Sequence, residues 1–214
     1  MLVRRGLIAL LGLAPLPLAA QPAPALSEAQ MLLFETPHLA ALGPAVRLDY
    51  AFLRQAAGQD PVRDAIRLEV RAGQEEGRRD VVPEFLTGPR TIRYPPAHGF
   101  RGNPLLLFAL DRASRELSAA TGGATGWFRN RIRQALATAP PPRHLPLAFE
   151  GREIEAAEVA LHPFAGEPRA GRHQDQRYRF VLAEGVPGWI HTIASELPEG
   201  EVRETITFAA AVPL

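Results

Sequence analysis

One interruption limits what this chain can fold into: residues 103–137 break a sequence that otherwise alternates apolar and polar side chains. Val46, Leu48, Tyr50 and Phe52 alternate with Arg47, Asp49 and Ala51, the period of a strand with one wet face. Ile66, Leu68 and Val70 repeat the pattern against Arg67, Glu69 and Arg71. Gly58-Gln59-Asp60-Pro61 between the two runs is turn chemistry, so they predict an antiparallel hairpin. A third strand is expected over 80–86, at an edge or bulged because of Pro83. A fourth is expected over 91–94, closed by Pro95-Pro96. Residues 21–29 read as a loose leader, with strand character from Met31.

The interruption has helical grammar. Asn103 is a good N-cap, Pro104 suits a first helical position, and Leu105 to Ala120 follows without a breaker until Gly122-Gly123. Leu106, Leu110, Ala113 and Leu117 share a face, with Asp111, Arg112, Arg115 and Glu116 mostly off it. A second helix is expected from about Gly126 to Ala137, with Thr125 as N-cap, striped by Phe128, Ile132 and Leu136. Pro140-Pro141-Pro142 ends it. Alternation resumes at Leu145, Leu147 and Phe149, turns at Glu150-Gly151-Arg152, and returns over 154–161. Residues 165–175 read as a flexible loop. Tyr178 to Leu182, Trp189 to Ser195 and Val202 to Phe208 complete the strands, with turns at 185–188 and 198–200.

The expected fold is mainly β (α+β): a curved antiparallel sheet or half-barrel of about nine or ten strands, carrying an inserted two-helix unit. It is expected as a single domain over residues 26–214, with the helical insert at 103–137.

The first 20 residues read as a signal peptide. Arg4 and Arg5 precede an apolar run from Gly6 to Leu18 that is too short to span a bilayer, and cleavage is expected after Ala20 or, alternatively, Ala25. Arg4-Arg5-Gly6-Leu7-Ile8 also resembles the twin-arginine pattern, so the export route stays open between that and the ordinary one. The expected location is periplasmic, soluble and not lipidated. The chain has no Cys, so disulfide scaffolds, thiolate metal sites and a lipidated N-terminal Cys are excluded. Removing residues 1–20 takes Arg4 and Arg5 and no acid, turning the formal charge from +1 to −1. That balance offers no basic field for nucleic acid.

Motifs for chemistry are sparse. None of the histidines forms an i, i+4 pair beside a Glu, no G-x-S-x-G elbow occurs, and Gly122 to Gly126 lacks the Lys of a phosphate loop. His173-Gln174-Asp175 reads first as a solvated loop and His191 as a structural residue; His191 and Ser195 are too far apart along a strand for proton transfer. No catalytic residue, metal ligand or cofactor is expected. The distinctive segment is Trp127 to Arg133, either a basic amphipathic helix facing anionic head groups or a helix with an aromatic core face and wet arginines.

With the Val46–Phe52 and Ile66–Val70 hairpin, the Asn103–Gly123 insert and the strands from Leu145 to Phe208 in place, the chain resembles small periplasmic envelope proteins of the lipoprotein-carrier (LolA-like) fold and the related β-spiral proteins. Gly102 to Leu105, Thr121-Gly122-Gly123 and Phe128 to Arg131 also resemble a stretch of uncharacterised exported bacterial proteins, which brings no activity with it. The resemblance implies an apolar hollow between sheet and helices that holds an acyl chain or apolar peptide.

Three readings follow. The first is a non-enzymatic periplasmic protein binding a lipid, lipoprotein or other envelope partner, with peripheral membrane contact at most. Its candidate contacts are Leu106, Leu107, Leu110, Phe128 and Ile132, with Arg129 and Arg133 as head-group partners. The second is an assembly module that pairs through strand edges and helices. The third is a hydrolase using a carboxylate or His173.

Overall fold

The computed structural model describes residues 25–198 and 201–214, so the expected signal peptide lies outside the described residues. Nine strands form one antiparallel sheet: β1 (Ala45–Ala56), β2 (Val62–Ala72), β3 (Arg79–Phe85), β4 (Ala97–Phe100), β5 (Arg143–Phe149), β6 (Arg152–Leu161), β7 (Arg177–Leu182), β8 (Ile190–Glu196) and β9 (Val202–Pro213). Their spatial order is β4-β3-β2-β1-β9-β8-β7-β6-β5. The chain runs outward from β1 to one edge, crosses through helices α2 (Leu105–Thr121) and α3 (Thr125–Ala137), and returns from the other edge to the centre. β4 and β5 do not pair, so the curved sheet is open, not a closed barrel.

The expected hairpin forms in register, Leu48 opposite Leu68 and Tyr50 opposite Ile66. At the β5–β6 turn, Glu150 and Gly151 both adopt positive φ (48° and 75°), as a two-residue hairpin turn requires. Other expectations need correction. Residues 27–35 are not a leader entering a strand. Ser27 and Gln30 form a capping box over α1 (Glu28–Gln30), which continues as a π-helical turn, Met31–Glu35. That turn buries Ala29 and Leu33, an apolar spacing that suits a helix and not a strand. The stretch 91–94 contributes only an isolated bridge, Ile92 to Phe85, and the fourth strand follows the prolines instead of preceding them. Pro83 sits in a penultimate strand, yet β4 pairs with β3 only at Arg79 and Val81. A residue without an N–H is tolerated there because the ladder has already ended. Thr125 starts α3 instead of capping it, and the loop at 165–175 contains a 3-10 segment, Pro168–Asp175, broken at Gly171.

The inner face of the sheet carries the core: Leu48, Tyr50, Ile66, Leu68, Phe180 and Ile190 are fully or almost fully buried beneath α2 with Leu105 and Leu106. Asn103 fixes where α2 begins. Its Oδ1 accepts from the Leu105 N–H (3.1 Å), while its Nδ2 donates to the Tyr50 hydroxyl and to the Gly188 carbonyl (both 3.0 Å). Its own N–H donates to His38 Nδ1 (3.1 Å), and His38 Nε2 donates to the Leu32 carbonyl (2.8 Å). Gly188 is left-handed (φ 72°), and a Cβ there would stand 2.7 Å from Leu48 Cδ1, so only glycine allows this approach. One buried amide therefore ties α1, α2, β1 and the β7–β8 turn together.

The side of α2 that meets the sheet is not the one its apolar pattern suggests. Arg112, expected on the wet face, is 6% exposed and lies under the sheet-facing side. Its guanidinium makes a two-pronged pair with Glu204 of β9 (both contacts 3.0 Å) and sits 4.8 Å from the centre of the Phe52 ring. Leu110 is only half-buried, because it lies at the seam and borders both the sheet-side void and the outer surface of α2.

Candidate functional site

An α-helix turns about 100° per residue, so Leu105, Ala109 and Arg112 lie on one side of α2 and Leu107, Leu110 and Ser114 about half a turn away. The first side seals against the sheet. Between the two, next to Phe52, Arg112 and Ile206, there remains a void of only about 30 Å³. That is room for roughly one or two waters, not for an acyl chain. Beside Phe52 the hollow implied by the family resemblance is filled. The larger space between sheet and α2 lies farther along, toward Glu116, and its lining includes Arg54, Glu116, Arg172 and Glu204.

The opposite side of α2 is open. It forms the floor of a groove of about 420 Å³, walled by α3 on one flank and by α1 with its π-helical turn on the other. Leu107 and Leu110 line the floor, Ile132 and Leu136 one wall, and Phe34 the other. The α1 wall is tied to the α3 wall by Ser27, whose hydroxyl donates to the Leu136 carbonyl at the end of α3 (2.7 Å). Ser114 faces the groove, but its hydroxyl bonds back to the Leu110 carbonyl (2.8 Å), leaving that surface without a free polar group from this residue. Leu107 is 45% exposed, one of the few large apolar side chains the described residues leave in water.

Charges ring this apolar floor. Asp111 is shared by two guanidinium groups, Arg115 (2.7 Å) and Arg129, so Arg129 already has a carboxylate partner. Arg133 also borders the groove and contacts only Asn130 (3.4 Å), with no carboxylate partner among the described residues. It is the groove's uncompensated cation. Of the side chains expected from sequence, Leu107, Leu110, Arg129, Ile132 and Arg133 converge on the groove. Leu106 and Phe128 do not line it; both are fully buried, Phe128 against Trp127 and Phe164. Sequence reasoning missed Gln30, Phe34 and Leu136. The Ser27-x-x-Gln30 capping box was a legible signal that a helix starts there, close enough to supply the missing wall.

Other candidate chemistry stays dispersed. His173 Nδ1 contacts the Gln176 amide oxygen (3.2 Å), and His191 Nδ1 the Thr192 hydroxyl (2.9 Å). No hydrogen bond joins Ser195 to a histidine among the described residues. No three His, Cys, Asp or Glu side chains converge as a metal set among the described residues.

No family model matches the chain, and no curated protein does. Solved structures resemble it in outline. The Mycobacterium tuberculosis lipoprotein LppX is 12% identical, covering 76% of this chain and 84% of its own, with a TM-score of 0.33. LprF from Mycobacterium bovis is 11% identical over 89% and 97%, with a TM-score of 0.37. A LolA superfamily protein from Nitrosomonas europaea is 10% identical over 87% and 93%, with a TM-score of 0.27. These are likenesses of architecture, at identities and TM-scores that transfer neither residue nor ligand.

Proposed function

We propose that the protein is a non-enzymatic binder of an anionic amphiphile, seating an acyl chain in the groove between α1, α2 and α3 with its head group at Arg133. The observation that carries this is the groove itself: apolar side chains from three helices around a space within the usual range of small-molecule sites, with one unpaired guanidinium at the rim. A head group without an apolar tail would leave Leu107 in water. A tail without an anion would leave Arg133 unpaired. Each buried methylene would contribute about 0.8 kcal/mol. The same reading places the protein at the cell envelope, with residues 1–20 removed on export; among the described residues no helix is long and apolar enough to cross a membrane.

Native mass spectrometry of residues 21–214 with palmitate tests the reading, alongside flotation with phosphatidylglycerol vesicles. A one-to-one palmitate adduct is expected in the native chain and absent in Leu107→Asp, with vesicle binding weakened by Arg133→Glu. Bare protein in both assays would reject it.

A further inference from the structure

At the other end of α2 the sheet carries a polar row where its pattern calls for apolar residues. Arg54 of β1 stands opposite Glu204 of β9, Glu204 opposite Ser195 of β8, and Ser195 opposite Tyr178 of β7. All four face α2. Two residues along each strand, on the same face, the equivalent row is Phe52, Ile206, Ile193 and Phe180, wholly apolar. Glu116 of α2 above the polar row and Arg172 and His173 of the 3-10 segment beside it close a cavity of about 450 Å³ over that row. Arg112 lies behind the lining, paired with Glu116 and Glu204.

Counting donors and acceptors shows which groups remain for a ligand. Glu204 is saturated: Oε1 accepts from Arg54 (2.5 Å) and Arg112 (3.0 Å), and Oε2 from Arg112 (3.0 Å). Burial pushes its carboxyl up, and the Arg112 charge, with the hydrogen bonds of Arg112 and Arg54, outweighs this and holds it below its ordinary range. Arg112 is spent on Glu204 and on Glu116 Oε1 (2.7 Å). The second Glu116 oxygen, the rest of the Arg54 fork, the whole Arg172 guanidinium, and the Ser195 and Tyr178 hydroxyls have no side-chain or backbone partner among the described residues. Tyr178 is only 5% exposed, and what it exposes lines the cavity, where its hydroxyl is free to meet a ligand. Arg54 and Arg172 line the cavity with Glu116 and Glu204. Arg112 behind the lining pairs with both glutamates, so the cluster as a whole carries one positive charge in excess.

We infer that this cavity is a second binding site, independent of the groove, for a small oxyanion that carries a hydroxyl beside its charge. Arg172 and the free edge of Arg54 receive the oxyanion, Tyr178 and Ser195 donate to it, and Glu116 accepts from the ligand hydroxyl. A plain anion would leave the Glu116 oxygen facing it unbridged. A neutral polar molecule would leave the excess charge unanswered.

Isothermal titration of residues 21–214 with malate, with succinate (the same skeleton without the hydroxyl), and with glycerol 3-phosphate tests this. Saturable binding of malate or glycerol 3-phosphate is expected, with malate tighter than succinate whenever the carboxylate is the favoured oxyanion. Arg172→Ala, at an exposed position, and Tyr178→Phe should each weaken the better ligand about tenfold, as loss of a hydrogen bond to a charged group does. Leu107→Asp should leave that affinity unchanged, which separates this site from the groove. The inference is overturned if neither compound saturates below about 10 mM, or if Arg172→Ala and Tyr178→Phe, both folded by circular dichroism, bind as the native chain does.

Discussion

Each side of α2 departs in one respect from the ordinary arrangement of a surface helix, although Leu105, Leu106, Ala109 and Leu117 are buried as usual. The side against the sheet buries a charge, Arg112 held by Glu204, while the side toward solvent exposes Leu107 and half-exposes Leu110. An amphipathic helix packed for stability alone would do the opposite. Buried ion pairs gain little over well-packed apolar residues, and exposed leucines gain nothing. The difference teaches that neither side is explained by folding energy by itself. The inner side spends Arg112 on the carboxylates of Glu204 and Glu116 beside polar groups left unpartnered, and the outer side leaves its apolar groups for something to cover.

The largest effect should come from breaking the inner side. Glu204→Leu leaves buried Arg112 with only its single contact to Glu116 (2.7 Å) and should destabilise the protein by about 3 kcal/mol, read from the urea midpoint. Arg112→Leu combined with Glu204→Leu should recover most of that loss, because the charges that then lose a partner, Arg54 and Glu116, both reach solvent. A double variant as unstable as the single would mean that the pair is worth more than its replacement, and the contrast between the two sides would weaken.

Acid should act next, and in a defined order. Burial holds the His38 imidazole down to about 4 from its ordinary 6.5, despite its hydrogen bond to Leu32. Between those values the unfolded chain holds the proton and the native chain does not, so stability falls as pH drops from 6.5 to 4 and is flat above. The full loss is about 3 kcal/mol, from 1.36 kcal/mol per unit. Glu204, depressed below its ordinary range, adds its own loss only as pH falls through the carboxylate region. Denaturation midpoints across pH should therefore decline first in the histidine range, and His38→Gln should remove that early decline. A midpoint unchanged down to pH 4 would contradict the buried neutral imidazole.

The outer side should respond in binding and hardly in stability. Leu107→Asp changes a half-exposed position and should shift stability by less than about 0.5 kcal/mol, while weakening palmitate binding about tenfold or more. The smallest effect separates two neighbouring arginines. Arg129 is matched by Asp111, so Arg129→Ala should alter vesicle binding little, whereas Arg133→Ala should reduce it. Equal losses in flotation would place the head group differently along the rim.

The sequence was most legible where alternation and capping agree. The β1–β2 hairpin, the β5–β6 turn and the limits of α2 follow from period two, from turn residues, and from Asn103 and Gly122. Helical spacing named Leu110 and Ile132, and the structure brings them with Leu107, Arg129 and Arg133 to one groove, while Leu106 and Phe128, named with them, are buried elsewhere. The polar row was partly written in the chain. Glu204 falls between Val202 and Ile206 at the inward parity, and Arg54 continues the parity of Phe52. Yet an isolated acid in a strand does not reveal which base will meet it.

By itself the sequence determined the strands, the helical insert and the apolar surfaces, because each depends on neighbours within a few residues along the chain. Which side of α2 would seal and which would stay open was decided only by tertiary structure. Arg112 and Glu204 are 92 residues apart, and burying one is tolerable only because the other arrives from β9 to neutralise it.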